Sequence, residues 1–161
     1  MSNDEWYTPS SIIEAARESM GGIDLDPCSC EEAQEIVEAG TWYDKERNGL
    51  VQPWHGRVWL NPPYSKGNII QFVNRLTCEY STYKPGPVDA WCLLCNTDHS
   101  TERYKLASVM ASFVVLLFRR VGFIAPGGRP VKKNLRCQSV ICGGKVNPDP
   151  WRKLGSIWRM M

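Results

Sequence analysis

Residues 58–67 read VWLNPPYSKG. The apolar run Val58-Trp59-Leu60 ends in Asn61-Pro62-Pro63-Tyr64, and two consecutive prolines neither donate to a sheet ladder nor enter a helix interior. A strand therefore stops here and presents an amide, a stiff backbone and an aromatic ring together. An amide donates and accepts hydrogen bonds but takes up no proton near neutral pH, so its contribution is orientation, not proton abstraction. A second candidate is Ile23-Asp24-Leu25-Asp26-Pro27, where apolar and acidic residues alternate until a proline stops them. Asp24 and Asp26 share one face of such a strand; they either hold a donor or cationic group of a ligand or point into solvent at a turn. A third is basic: between residues 119 and 136 lie Arg119, Arg120, Arg129, Lys132, Lys133 and Arg136, with no acid among them. This stretch is either solvated surface or a phosphate-facing patch. Adjacent residues on a strand point opposite ways, so one of Arg119 and Arg120 is expected to face away.

The seven cysteines are an odd number, and no secretion signal accompanies them, so they are expected as thiols. Cys28-Ser29-Cys30 and Cys92-Leu93-Leu94-Cys95 invite a zinc reading. Residues three apart on a strand point to opposite faces, and His55 and His99 lie far from both pairs. Buried free thiols, and no metal, are the expectation.

The elements that must position these residues follow from pattern. Thr8 and Pro9 open a helix, Thr8 as its cap, with Ile12, Ile13, Ala16 and Met20 on one face and Gly21-Gly22 ending it. Residues 23–26 form a short strand, 31–39 a helix and 57–60 a second strand. Residues 68–80 form a helix with Ser65 as a candidate cap. The apolar runs 88–95 and 113–118 read as strands buried on both faces, separated by a helix at 101–110. Ala125-Pro126-Gly127-Gly128 turns between two short strands, and 137–142 is a last strand. From Asn147 a loop leads to a short tail helix around Trp151 and Trp158. Alternating strands and helices imply an α/β fold with crossover connections. In such sheets ligands gather at the carboxyl ends of strands, where Asp26-Pro27 and Asn61-Pro62 both sit.

A length of 161 residues suits one domain, with a core at about residues 6–144 and a tail at 145–161. Hydrophobic residues make up 43% and charged ones 22%, which fits a soluble globular chain. No apolar run reaches the roughly 18 residues that would suggest a membrane span. The polar, acidic start Met1-Ser2-Asn3-Asp4-Glu5 excludes a signal peptide, so a cytoplasmic location is expected.

Asn61-Pro62-Pro63-Tyr64 resembles the catalytic tetrapeptide of amino-group methyltransferases that use S-adenosylmethionine. The same four residues occur in methyltransferases for protein glutamine and for ribosomal RNA guanine. Further segments narrow the likeness. Asp4-Glu5-Trp6-Tyr7-Thr8-Pro9 and Ile23-Asp24-Leu25-Asp26-Pro27-Cys28-Ser29 resemble the opening of phage adenine-specific DNA methyltransferases, the phage Dam-like family. Asn48-Gly49-Leu50, Trp54-His55-Gly56, Leu93-Leu94, Asn96-Thr97-Asp98, Phe118-Arg119-Arg120-Val121-Gly122-Phe123 and Ser139-Val140-Ile141 follow in the family's order, so the resemblance spans roughly residues 4 to 142.

The resemblance implies a Rossmann-like S-adenosylmethionine-dependent methyltransferase fold, a compact single domain with a mostly parallel central sheet. It implies methyl transfer to the N-6 amino group of adenine in double-stranded DNA by a monomer or weak dimer in the host cytoplasm, with restriction evasion as the biological role. Asn61, Pro62, Pro63 and Tyr64 would be catalytic. The Asn61 side-chain oxygen and the Pro62 carbonyl would accept the amino hydrogens, and Tyr64 would offer a face for an extruded base. Tyr7, Thr8, Pro9, Asp24, Asp26 and Pro27 would bind the cofactor, Asp26 at its amino group, with Asp44 a candidate for the ribose. Arg119, Arg129, Lys132, Lys133 and Arg136 would face DNA. The alternatives are an amino-methyltransferase acting on protein glutamine or RNA, or a non-catalytic DNA-binding relative. The chain departs from the family in three places. No glycine-rich loop follows Asp26-Pro27, Cys95 stands where proline is expected, and Asn48 replaces an aspartate before Gly49-Leu50.

Overall fold

In the computed structural model, which describes residues 6–65, 67–131 and 136–160, a seven-stranded sheet carries helices on both faces. In chain order the elements begin α1 (Ser10–Met20), β1 (Leu25–Asp26), α2 (Glu31–Val37), β2 (Thr41–Trp42), β3 (Gly56–Leu60) and α3 (Asn68–Glu79). They continue β4 (Val88–Asn96), α4 (Glu102–Met110), β5 (Phe113–Leu117), β6 (Ile124–Ala125), β7 (Arg129–Pro130) and β8 (Gln138–Gly144). A 3₁₀ turn (Asp149–Lys153) and β9 (Gly155–Arg159) close the chain.

The sheet order is β2-β1-β3-β4-β8-β5-β9. The first four strands are parallel neighbours. β8 runs against both β4 and β5, and β9 against β5. Five strands therefore point one way and two the other, which agrees with the expected mostly parallel α/β sheet.

β4 shows why the sequence takes this form. Ala90, Cys92 and Leu94 pack with α1, Val115, Val140 and Trp151 on one face. Val88, Trp91, Leu93 and Cys95 pack with α3 and α4 on the other. A strand with both faces covered must be apolar at nearly every position, and its side chains from Ala90 to Cys95 are all 1% exposed or less. Cys92 and Cys142 face each other across the β4–β8 ladder with sulfurs 3.5 Å apart, and all seven cysteines are free.

Three local expectations are corrected. Thr8 does not cap α1: Pro9 occupies that position with no side-chain cap, and the Thr8 hydroxyl is bonded elsewhere. Ser65 likewise does not cap α3, whose cap residue is Gly67 in a left-handed conformation. The tail is not a helix through Trp158. Its 3₁₀ turn buries Trp151 completely, and Trp158 lies in an edge strand paired with Val114. Residues 145–160 thus complete the sheet.

Candidate active site

Chain direction around β1 creates the site. From β1 the chain passes through α2 to β2 on one side; from β3 it passes through α3 to β4 on the other. The connections diverge above the carboxyl ends of β1 and β3, leaving the crevice where open α/β sheets hold ligands. Asp26 ends β1, and Asn61 follows the last residue of β3. Between them opens a cavity of about 400 Å³. Tyr7, Thr8, Asp26, Pro27, Asn61 and Pro63 line it, together with Asp44, Leu50, Trp59 and Phe72.

Asn61 is held by its amide nitrogen. Nδ2 donates to the Trp6 carbonyl at 3.1 Å and to Thr8 Oγ1 at 3.1 Å. A carbonyl only accepts, so these contacts fix which end of the amide carries the hydrogens. Oδ1 is left as an acceptor, 3.3 Å from the Tyr64 hydroxyl. That hydroxyl also lies 3.3 Å from the Leu94 carbonyl. Burial raises the Tyr64 pKa well above its ordinary value, so the phenol remains a donor. Its ring meets Phe123 edge-on at 6.1 Å and does not line the cavity.

Asp26 is 3% exposed. Its carboxylate accepts from the Cys28 amide at 3.3 Å and from Gln34 Nε2 at 3.0 Å. Desolvation dominates: burial pushes its pKa up to about 6, against the lowering effect of hydrogen bonds from Ser29, Cys28 and Gln34. Gln34 was invisible to sequence reasoning, because a polar residue within a helix reads as solvated. It donates to Ser29 Oγ at 2.7 Å as well, and its oxygen accepts from the Ala39 amide at 2.9 Å. This side chain clamps β1, α2 and the loop between them.

Asp24 does not join this group. Its two oxygens take Arg57 Nε and Nη2, each at 2.7 Å, and the Arg57 amide at 2.8 Å. The Arg57 hydrogen bonds hold its carboxyl below the usual range. Pro9, Pro62 and Tyr64 also lie outside the cavity lining. Asp44 lines it while pairing with Arg47 at 3.2 Å, and Arg47 in turn stacks over Trp42 at 4.3 Å.

The floor explains Asn48-Gly49-Leu50. A Cβ on Gly49 would stand 1.8 Å from the Pro27 carbonyl oxygen, so only glycine fits. Trp54 Nε1 donates to the Gly49 carbonyl at 2.8 Å and pins the loop. Asn48 has a φ of +50°, a left-handed conformation that asparagine and aspartate tolerate.

Phe118, Arg119 and Arg120 are all exposed just beyond β5, so strand alternation does not separate the two arginines. Arg129 is exposed on the β6–β7 hairpin, and Arg136 is exposed before β8. Lys132 and Lys133 lie outside the described residues. Among the described residues no group of three or more histidine, cysteine, aspartate or glutamate side chains is placed to hold a metal ion, and no helix is long and apolar enough to cross a membrane.

Fold and cavity together define an α/β protein with a ligand crevice at its topological switch point and an oriented amide on the crevice wall. The chain belongs to the Dam family: the family model described as DNA N-6-adenine-methyltransferase (Dam) matches residues 1–156. A DNA N-6-adenine-methyltransferase of Escherichia phage T1 is 38% identical over 68 residues, which is 41% of this chain. That match spans 27% of the phage T1 protein, about a quarter of its length.

Proposed function

We propose that the chain transfers a methyl group from S-adenosylmethionine to the N-6 amino group of adenine in double-stranded DNA, on a Rossmann-like methyltransferase sheet. The observation that carries this reading is the Asn61 amide. Its nitrogen is occupied by Trp6 and Thr8, its oxygen is left as an acceptor beside the Tyr64 hydroxyl, and the residue lines the cavity. Family membership supports the same reaction.

The cavity suits the cofactor. Asp26 is a buried carboxylate bonded to the neutral donors Cys28 N and Gln34 Nε2, and no ion pair reaches it among the described residues. A cationic amino group in the cavity would balance its charge. Leu50, Trp59 and Phe72 supply apolar wall for a purine, and Asp44 offers acceptors for hydroxyls. When bound, the cofactor supplies a methyl group on a positively charged sulfur. The protein's task is to prepare the amine. An exocyclic amino group has its lone pair delocalised into the ring, so it is a weak nucleophile. Asn61 Oδ1 and the Pro62 carbonyl accept its two hydrogens and favour the geometry in which the lone pair projects toward the methyl. The amide takes no proton; the nitrogen loses one to solvent after transfer. Tyr64 acts as the stacking surface for the extruded base, which requires its ring to turn from the Phe123 contact. Arg119, Arg129, Lys132, Lys133 and Arg136 meet phosphates. The family and the phage T1 relative support a phage-encoded enzyme working in the host cytoplasm, with protection of DNA from restriction as its role.

The test is methylation with tritiated cofactor, offering duplex DNA, RNA and protein in parallel, followed by mapping of the modified atom. Label at adenine N-6 is expected. Label only in RNA or on protein glutamine would replace the substrate, and no label on any would leave a binding protein.

A further inference from the structure

One segment touches the cavity, the Asn61 amide and the basic hairpin. Trp6, Tyr7 and Thr8 line the cavity. Trp6 and Thr8 hold the Asn61 amide. Tyr7 forms an antiparallel bridge with Ile124 at the start of the basic hairpin, through backbone bonds of 2.8 and 3.0 Å. Glu32, in the first turn of α2, closes the arrangement. Its Oε2 accepts from the Tyr7 hydroxyl at 2.9 Å, and its Oε1 accepts from the Gly127 amide at the hairpin tip at 2.6 Å.

This carboxylate lies outside the cavity lining and makes no ion pair among the described residues. It joins the amino-terminal segment, α2 beside Cys30 and Ala33 of the cavity, and the tip of the hairpin carrying Arg129, and so adds a second tie to the one the Tyr7–Ile124 bridge makes at the hairpin's base. The hairpin strands are only two residues each, so the hairpin's seat depends on such ties. Burial, with Cys30 and Glu32 beside it, raises the Tyr7 pKa and keeps that hydroxyl a donor.

We propose that Glu32 is a positioning residue that couples the cofactor cavity to the hairpin, so that filling the cavity tightens DNA binding and DNA tightens cofactor binding. The inference rests on the methyltransferase reading above. Cofactor against Tyr7 and Thr8 restrains the segment; the Tyr7–Glu32–Gly127 tie passes the restraint to the hairpin tip. Linkage makes the effect reciprocal.

The experiment is a thermodynamic cycle with the non-reactive product S-adenosylhomocysteine and a mixed-sequence duplex at one fixed salt concentration. For the wild type, DNA affinity is expected to rise about fivefold or more when the product is bound. In Glu32→Ala that ratio should fall to about twofold, the Tyr7–Ile124 backbone bridge carrying what remains, while product affinity measured without DNA stays within about threefold of wild type. Glu32→Gln should keep most of the coupling, because its oxygen accepts the Gly127 amide and its nitrogen donates to the Tyr7 oxygen. Should Glu32→Ala fail to fold, Tyr7→Phe removes a single bond, keeps the ring and should lower the ratio partway. Undiminished coupling in the folded variants overturns the proposal, as does a wild type that binds both ligands independently. A wild type that binds neither ligand overturns the methyltransferase reading and this inference with it, and the missing binding signals tell the two failures apart.

Discussion

The cavity and the basic rim are built on opposite terms. Around the cavity, polar atoms are already engaged within the protein: Asn61 Nδ2 holds two acceptors, and Gln34 holds Asp26, Ser29 and the Ala39 amide. At the rim, Arg119, Arg120 and Arg129 are exposed, and Phe118 is 68% exposed. On the proposed function, the difference follows from the ligands. An amine in a methyl-transfer geometry must be placed to within a fraction of an ångström, which only a prepaid hydrogen-bond frame provides. Duplex DNA brings its own array of charges, and long flexible cations adjust to it. Substitutions in the cavity should therefore change rates or small-ligand affinity steeply. Substitutions at the rim should change DNA affinity gradually and in a salt-dependent way.

The sharpest test is Asn61→Ala. Single-turnover methyl transfer should slow by about a hundredfold or more, as when one donor or acceptor is removed from a preorganised site. Cofactor and DNA affinities, measured separately, should stay nearly intact. Asn61→Asp should keep partial activity, since a carboxylate also accepts hydrogens, although its oxygen meets the Trp6 carbonyl without a donor between them. Wild-type turnover in Asn61→Ala would reduce the tetrapeptide to a turn.

Asp26 comes next, with an effect that pH resolves. Its folded pKa of about 6 lies above the ordinary carboxyl value of 3.8. A carboxyl raised in the folded state binds its proton more tightly there than in the unfolded chain. Its stabilising contribution is therefore full below about pH 4 and is lost as pH rises through about 6, by about 3 kcal/mol in all. Chemical denaturation at pH 4.5 and at pH 7 should show this component in the wild type and lose it in Asp26→Asn. Cofactor binding should run the other way, tightening as pH rises through about 6, because a cationic amino group pairs with the ionised form. Asp26→Asn should weaken it by about 10–100-fold in calorimetry at pH 7, the worth of a charge-assisted bond. Unchanged affinity would remove Asp26 from the cofactor site.

Tyr64 separates two uses of one side chain. If its ring face carries the function, Tyr64→Phe should be mild and Tyr64→Ala severe in single-turnover transfer. If the hydroxyl's contacts with Asn61 and Leu94 matter as much, Tyr64→Phe should lose roughly tenfold, the value of one hydrogen bond. Equal losses in both variants would remove stacking from the mechanism.

What could be read from sequence follows the same division. β4 announced itself because a strand covered on both faces must be apolar throughout, and Pro62-Pro63 and Pro27 marked the strand ends that flank the cavity. The switch point was not legible, because β2 is two residues long and intermediate in burial, with no apolar run to betray it. β9 was missed for a similar reason: Gly155-Ser156-Ile157-Trp158-Arg159 is short and lies at the sheet's edge. Thr8 looked like a helix cap because its type and place beside Pro9 fit one. Its bond to Asn61 spans 53 positions, and no local rule reports such a pairing. Asp24 and Asp26 were indistinguishable in sequence; only Arg57, 33 positions on, takes one and leaves the other to the cavity. Glu32 carried no signal because its partners lie 25 and 95 positions away, and Gln34 carried none because a polar residue in a helix reads as solvated even when its partners are close in the chain.

The smallest expected effect tests the rim. Arg119 and Arg129 sit on different loops, one beyond β5 and one on the hairpin, and both are exposed. If each neutralises a phosphate, the plot of log affinity against log salt should flatten by about 0.9 for Arg119→Gln and again for Arg129→Gln, and by about 1.8 in the double variant. Distant, independent contacts add, so additivity itself is part of the prediction. At low salt each variant should bind DNA only a few-fold more weakly, while cofactor affinity and the rate on saturating DNA stay at wild-type values. The measurement is fluorescence anisotropy of a labelled duplex across a salt series. A slope unchanged in the double variant would show that both arginines face solvent. A slope unchanged with a rate that falls would mean the rim is as rigidly built as the cavity, and the contrast between the two regions would fail.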